Sequence, residues 1–215
     1  MKNDRFRKKS ILRMRAPAGF VCVLAIILLL AAPLALAAET VTPLNVVKTN
    51  VEKVLGALRD PALQDETTVG KKKQAIRKIS DDMFHWDLLS KRVLAKNWGR
   101  LTSDQQNEFV CLFKDILEEA YIDRILAYKD ETIQYVSNQM LSSNKAEVVT
   151  HIVSGGAPIN LTYRLGLLNG KWGVYDVIVE GVSLTANYRT QFRDFLANKT
   201  PVELLEHLKE KIGKE

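Results

Sequence analysis

The stretch at 170–192, GKWGVYDVIVEGVSLTANYRTQF, constrains this chain more than any other. Trp172, Val174 and Ile178 alternate with Tyr175, Val177 and Val179, so the strand it encodes is apolar on both faces and needs cover on both. Gly181 breaks the strand. An amphipathic helix then carries Leu184, Tyr188, Phe192 and Phe195 along one side.

The rest of the chain supplies either more sheet or the covering helices. Period-two patterning predicts strands at 132–137, 146–154 and 159–168, with Gly155-Gly156-Ala157-Pro158 turning the chain between the second and third. Asn169-Gly170 is a two-residue hairpin signal leading into the doubly apolar strand. Pairing Leu168 with Lys171 sets Leu165 opposite Val174, Tyr163 opposite Asp176 and Leu161 opposite Ile178. Short turns throughout imply an antiparallel meander.

Upstream, Thr42-Pro43 opens a helix that Asp60-Pro61 stops. A helix at 71–80 carries Lys71, Lys72, Lys73, Arg77 and Lys78, either as a solvated face or as a docking surface for an acidic partner or lipid headgroups. The segment 83–98 buries Trp86, Leu89 and Val93. The longest helix starts at a capping box, Thr102-x-x-Gln105, and shows Phe109, Phe113, Ile116 and Leu117 at helical spacing. The expected fold class is α+β: a twisted antiparallel sheet of four or more strands covered by helices, with an added helical lobe.

Seven basic residues (Lys2 to Arg15) precede an apolar run at 20–30, and Ala35-Leu36-Ala37 offers a small-x-small cleavage pattern. Residues 1–37 are therefore expected to be a cleavable signal peptide. The remaining domain, 38–215, has a helical part at about 41–128, a sheet at about 131–181 and C-terminal helices at 184–212. The full chain holds 31 basic and 25 acidic residues, a net charge of +6. The leader alone carries that excess, so the exported domain is near neutral and nucleic-acid binding loses its electrostatic support. Cys111 is then the sole cysteine, which rules out an internal disulfide; its apolar neighbours predict a buried position. An exported, disulfide-free domain suits a bacterial periplasm.

Catalytic constellations are missing. His85, His151 and His207 are scattered without a second ligand at metal spacing, and there is no glycine-rich phosphate loop. Neither a metal nor a cofactor is expected. Asp176 alone could act as a general base among apolar neighbours, in an isomerase-like pocket; the alternative is a hydrogen-bonded structural aspartate.

Two segments resemble a known family. One holds Met83-Phe84, Asp87, Arg92-Val93-Leu94, Trp98, Leu101, Gln105, Glu108-Phe109, Phe113, Leu117, Tyr121 and Ile125. The other is VYDVIVEGVSL at 174–184, followed by Asn187-Tyr188-Arg189 and Gln191-Phe192. Together they resemble the MlaC, or toluene-tolerance, family of periplasmic phospholipid-binding proteins. Ala95 and Asn97 depart from it, standing where the family pattern has a glycine and an aromatic or histidine. The resemblance implies a nuclear-transport-factor-2-like fold and a non-enzymatic lipid carrier, monomeric, working in the periplasm. It implies partners too: a phospholipid ligand, an inner-membrane ABC transporter with an MCE-domain ring, and an outer-membrane lipoprotein complex, in systems that keep outer-membrane lipid asymmetric. Some relatives occur with hopanoid pathways, which leaves another lipid class open.

A carrier needs apolar walls. Two acyl chains of about thirty carbons carry roughly 25 kcal/mol of hydrophobic transfer at about 0.8 kcal/mol per methylene. The candidate wall residues are Leu161, Tyr163, Leu165, Val174 and Ile178 from the sheet, and Val93, Phe109, Phe113, Tyr188 and Phe192 from the helices. Periodicity alone leaves each of them equally readable as solid core, as in an interaction adaptor. Arg92, Lys96 and Arg189 are candidate headgroup or partner contacts. A dry cavity of several hundred Å³ is costly at about 24 cal/mol per Å³, so the interior is expected either lipid-filled or collapsed.

Overall fold

In a computed structural model the structure describes residues 41–128, 131–153 and 155–212, and the signal-peptide expectation at 1–37 lies outside them. Helix α1 spans Pro43–Arg59, with the Thr42 side chain accepting from the Asn45 amide at 3.2 Å. Two short 3₁₀ turns lead to α2, Val69–Met83. Helix α3 covers Trp86–Leu94 and α4 covers Ser103–Leu126, the latter opened by both halves of the expected capping box.

Between α3 and α4 lies a 3₁₀ turn, Ala95–Arg100. Ala95 takes φ 50°, a left-handed position that favours glycine. That is why a glycine fits the family pattern there: Ala95 holds its turn under strain.

Five strands follow: β1 Thr132–Ser142, β2 Lys145–Val153, β3 Ile159–Leu168, β4 Lys171–Val179 and β5 Val182–Ser183. They pair in sequence order as an antiparallel meander, so the α+β class holds. Strand β1 is longer than the period-two signal because two register shifts, between Tyr135 and Ser137 and between Met140 and Ser142, interrupt its alternation. Asn169 and Gly170 both have positive φ, as a two-residue hairpin demands, and Glu180 and Gly181 repeat the device. The break at Gly181 is thus a second hairpin, and β5 is its product. Helix α5, Leu184–Phe195, starts directly from β5; α6 covers Pro201–Ile212.

Cys111 is exposed, contrary to expectation. On α4 it lies two residues, about 200° of helix, from the buried Phe109, which puts it on the opposite side.

Candidate functional site

The site is decided by the strand that opened the sequence argument. Leu165 pairs with Val174, but Arg164 pairs with Asp176, so Tyr175 is an extra residue in β4. The bulge resets the alternation beyond it. Tyr163 faces Val177 rather than Asp176, and Leu161 faces Val179 rather than Ile178. Val174, Val177 and Val179 therefore share one face of the sheet. Ile178, expected beside Val174, sits on the other face, paired with Thr162 and Ser183.

The first face lies under α1. Val46, Val47 and Met83 pack there with Ala146, Val148, Leu165, Trp172, Val174 and Val177. Val47, Ala146, Val148, Leu165 and Val174 are entirely inaccessible. Val51, Tyr135, Leu161, Tyr163 and Val179, at the margin of the same cluster, are only half-buried. The compartment is closed at one end and half-open at the other.

Polar groups collect toward the half-open end. Tyr135 pairs with Thr150, and Thr150 with Leu161. The hydroxyls of Thr150 and Tyr128 are buried and have no hydrogen-bond partner. Asn50 Nδ2 donates to the Val46 carbonyl at 2.9 Å, and its buried Oδ1 is left without a donor. Burial pushes the phenols of Tyr135 and Tyr163 up to about 12, and that of Tyr128 upward as well. The Thr150 hydroxyl lies near enough to Tyr163 to favour its ionised form slightly, yet the two make no well-formed hydrogen bond. Tyr163 itself is half-buried.

The opposite face is built for close approach. A Cβ on Gly173 would come within 2.7 Å of the His85 ring, and one on Gly166 within 3.2 Å of Leu88. Helix α3 therefore comes down onto bare backbone, and the His85 amide donates to the Val174 carbonyl at 2.9 Å. Behind it Val93, Phe109, Phe113 and Phe192 form a second cluster with Leu204, Leu205 and Leu208 of α6. Phe113 meets Tyr188 at 5.1 Å and Phe192 at 5.4 Å between ring centroids. Nine of the ten candidate wall residues are thus divided: Leu161, Tyr163, Leu165 and Val174 lie under α1, while Val93, Phe109, Phe113, Tyr188 and Phe192 belong to the helical lobe; Ile178 is in neither cluster.

The charged candidates also sit on the lobe side. The Arg92 guanidinium stacks 3.9 Å over the Tyr175 ring, and Arg189 Nε donates to the Arg92 carbonyl at 2.8 Å. Lys96 is exposed on the 3₁₀ turn. Asp176 is buried and committed to the start of α5. It accepts from Ser183 Oγ at 2.7 Å and from the Thr185 amide at 3.0 Å, with Arg164 Nη1 at 3.8 Å. A carboxylate so engaged is a helix anchor; the partners are Ser183, Thr185 and Arg164, none of them foreseen from the sequence.

Surface hollows lie on the helices, with no sheet residue lining them. One, about 370 Å³, is lined by Phe195, Lys199, Val202 and His207 among others. Another, about 530 Å³, runs along α2 past Lys71, Arg77, Lys78 and Asp81. Part of the basic charge of α2 is answered by α4, through Lys73 with Asp123 at 3.1 Å and Arg77 with Glu119 at 2.8 Å. Among the described residues no three His, Cys, Asp or Glu side chains gather to hold a metal ion, and no helix is long and apolar enough to cross a membrane.

Sequence reasoning missed Asn50, Tyr128, Tyr135 and Thr150. Two carried a signal: Asn50 stands three and four residues after Val47 and Val46, within the apolar stripe, and Thr150 follows Ala146 and Val148 at strand spacing.

The family model described as MlaC protein matches residues 48–210. This chain belongs to the MlaC family. It is 28% identical over 171 residues to the toluene tolerance protein ttg2D of Pseudomonas putida, covering 79% of each chain. It is 30% identical over 98 residues to the intermembrane phospholipid transport system binding protein MlaC of Haemophilus influenzae, covering 43% of this chain and 46% of that one. A phospholipid-binding protein from Ralstonia solanacearum, solved in complex with a phospholipid, superposes with a TM-score of 0.71 at 22% identity, over 81% of this chain and 98% of that chain. That likeness establishes a shared fold for this MlaC-family chain.

Proposed function

We propose that this MlaC-family protein is a periplasmic phospholipid carrier and not an enzyme. Export removes residues 1–37. The carrier then encloses acyl chains between α1 and the sheet and exchanges them with an inner-membrane ABC transporter bearing an MCE-domain ring and an outer-membrane lipoprotein complex. Its work helps keep the outer membrane asymmetric. The observation that carries this reading is the sheet face under α1, apolar and buried at the Trp172 end and half-buried, with hydroxyls among the apolar groups, at the Leu161 end.

The physics asks no more of a carrier than that. Roughly 25 kcal/mol of hydrophobic transfer for two chains sets the barrier to a lipid crossing water alone, and an apolar enclosure removes most of it. Loading requires α1 to part from the sheet, because Val47, Ala146, Val148, Leu165 and Val174 already fill the closed end. Leu161, Tyr163, Leu165 and Val174 are then wall residues, with Val177 in the place assigned to Ile178. The helical-lobe candidates become the support that holds the sheet while α1 moves.

The test is direct. The protein purified from periplasm should yield about one phospholipid per chain in a solvent extract read by mass spectrometry, and delipidated protein should take phospholipid from vesicles. An extract without lipid together with no uptake would refute the carrier reading. A hopanoid in place of phospholipid would reassign the cargo.

A further inference from the structure

The compartment under α1 has a polarity of its own. Its closed end is hydrocarbon: Met83, Ala146, Leu165, Trp172 and Val174. Its half-open end gathers hydroxyls, with Thr150 between Tyr135 and Leu161 across the strands and Tyr163 diagonal to it, while Tyr128 packs beside Leu58, Ile76 and Ile122 in a neighbouring cluster. A buried hydroxyl without a partner is destabilising, and the Thr150 hydroxyl in this cluster is one. A fully packed aliphatic group would avoid that cost, so this hydroxyl awaits an acceptor.

The surroundings say which kind. Neutral hydroxyls set against the apolar side chains of this cluster suit an uncharged acceptor, whereas a phosphate anion would give up its hydration with no cation among those residues to replace it.

We infer that the hydroxyls of Thr150 and Tyr163 form a donor pair for the ester carbonyl oxygens of a glycerolipid. This assignment rests on the carrier function proposed above and adds an orientation to it. The tails point toward Trp172, the glycerol esters lie at the hydroxyls, and the headgroup emerges at the half-open margin. Tyr163 and Thr150 then select for ester-linked chains, which a purely apolar pocket would not do.

The experiment compares a dioleoyl glycerophospholipid with its diether analogue of the same headgroup, each offered in vesicles to the delipidated full mature chain. Wild type should favour the ester lipid about tenfold, the worth of one to two hydrogen bonds. The near-isosteric pair Thr150→Val with Tyr163→Phe should erase the preference, so that ester and diether lipid are taken up equally. Thr150→Val alone should reduce the preference in part and serves if the double variant melts early by circular dichroism. Equal uptake of both lipids by wild type, or a preference that survives the substitutions, overturns the donor pair while leaving the carrier intact. Uptake of neither lipid overturns the carrier itself.

Discussion

The two faces of one sheet are packed in different ways. On the lobe side, aromatic rings interlock at 5.1–5.6 Å between centroids, glycines at 166 and 173 bring α3 down onto backbone, and Asp176 fixes the start of α5. On the α1 side, the described aliphatic groups meet without the ring stacking of the lobe, and the margin is half-buried. Interlocked rings resist displacement because every shift loses many contacts together. Smooth aliphatic surfaces can part and be re-covered by another hydrocarbon at little net change. One sheet therefore serves as a fixed wall and a releasable one.

The contrast can be broken most forcefully at Phe113. Phe113→Ala should lower stability by about 3–5 kcal/mol, with the same loss whether or not phospholipid is present. Val47→Ala should cost about 2 kcal/mol in delipidated protein, and less when lipid fills the space. Paired denaturation curves with and without phospholipid measure both. A Phe113→Ala loss that lipid repairs would show that the helical lobe, too, is part of the pocket.

A second test uses alkali. Tyr135 and Tyr163 ionise at about 12 in the folded protein against 10 in the open chain. Folding thus favours the protonated phenol; that stabilisation is complete below pH 10 and is lost as pH rises from 10 to 12. The melting temperature should hold to pH 10 and fall above it, and Tyr163→Phe should blunt the fall. Tyrosine absorbance at 295 nm titrating entirely near 10 would mean that the α1 face is wet throughout.

The smallest effect belongs to the lobe side. Ala95→Gly should relieve the turn at φ 50° and raise stability by about 1 kcal/mol, read as an upward shift in melting temperature without change in lipid uptake. A change in uptake would tie the α3 turn to the moving wall.

Much of this was legible beforehand. The capping box at Thr102 and Gln105, the Asn169-Gly170 hairpin and the apolar stripes depend on neighbours a few residues apart, and short-range chemistry is what a sequence displays. Leu165 opposite Val174 followed from the turn alone. What failed was continuation through Tyr175. A bulge changes the parity of everything beyond it, and Ile178 exchanged places with Val177 as a result. Cys111 departs from expectation for a related reason: its neighbours in sequence are apolar, but a helix turns adjacent residues to different sides.

The amino-acid sequence by itself settled the class of fold, the order of its strands and the family, since these follow from periodicity, turn residues and a long match at 48–210. Only the tertiary structure decided which apolar residues stand together. One extra residue in β4 and the choice of α1 for one face, α3 and α5 for the other, separated nine of the ten candidate wall residues into a solid lobe and a compartment with hydroxyls at its margin, and left Ile178 in neither. The physical reason is that burial is a property of contacts between distant segments, and a helical or strand period reports that a face is covered without reporting by what.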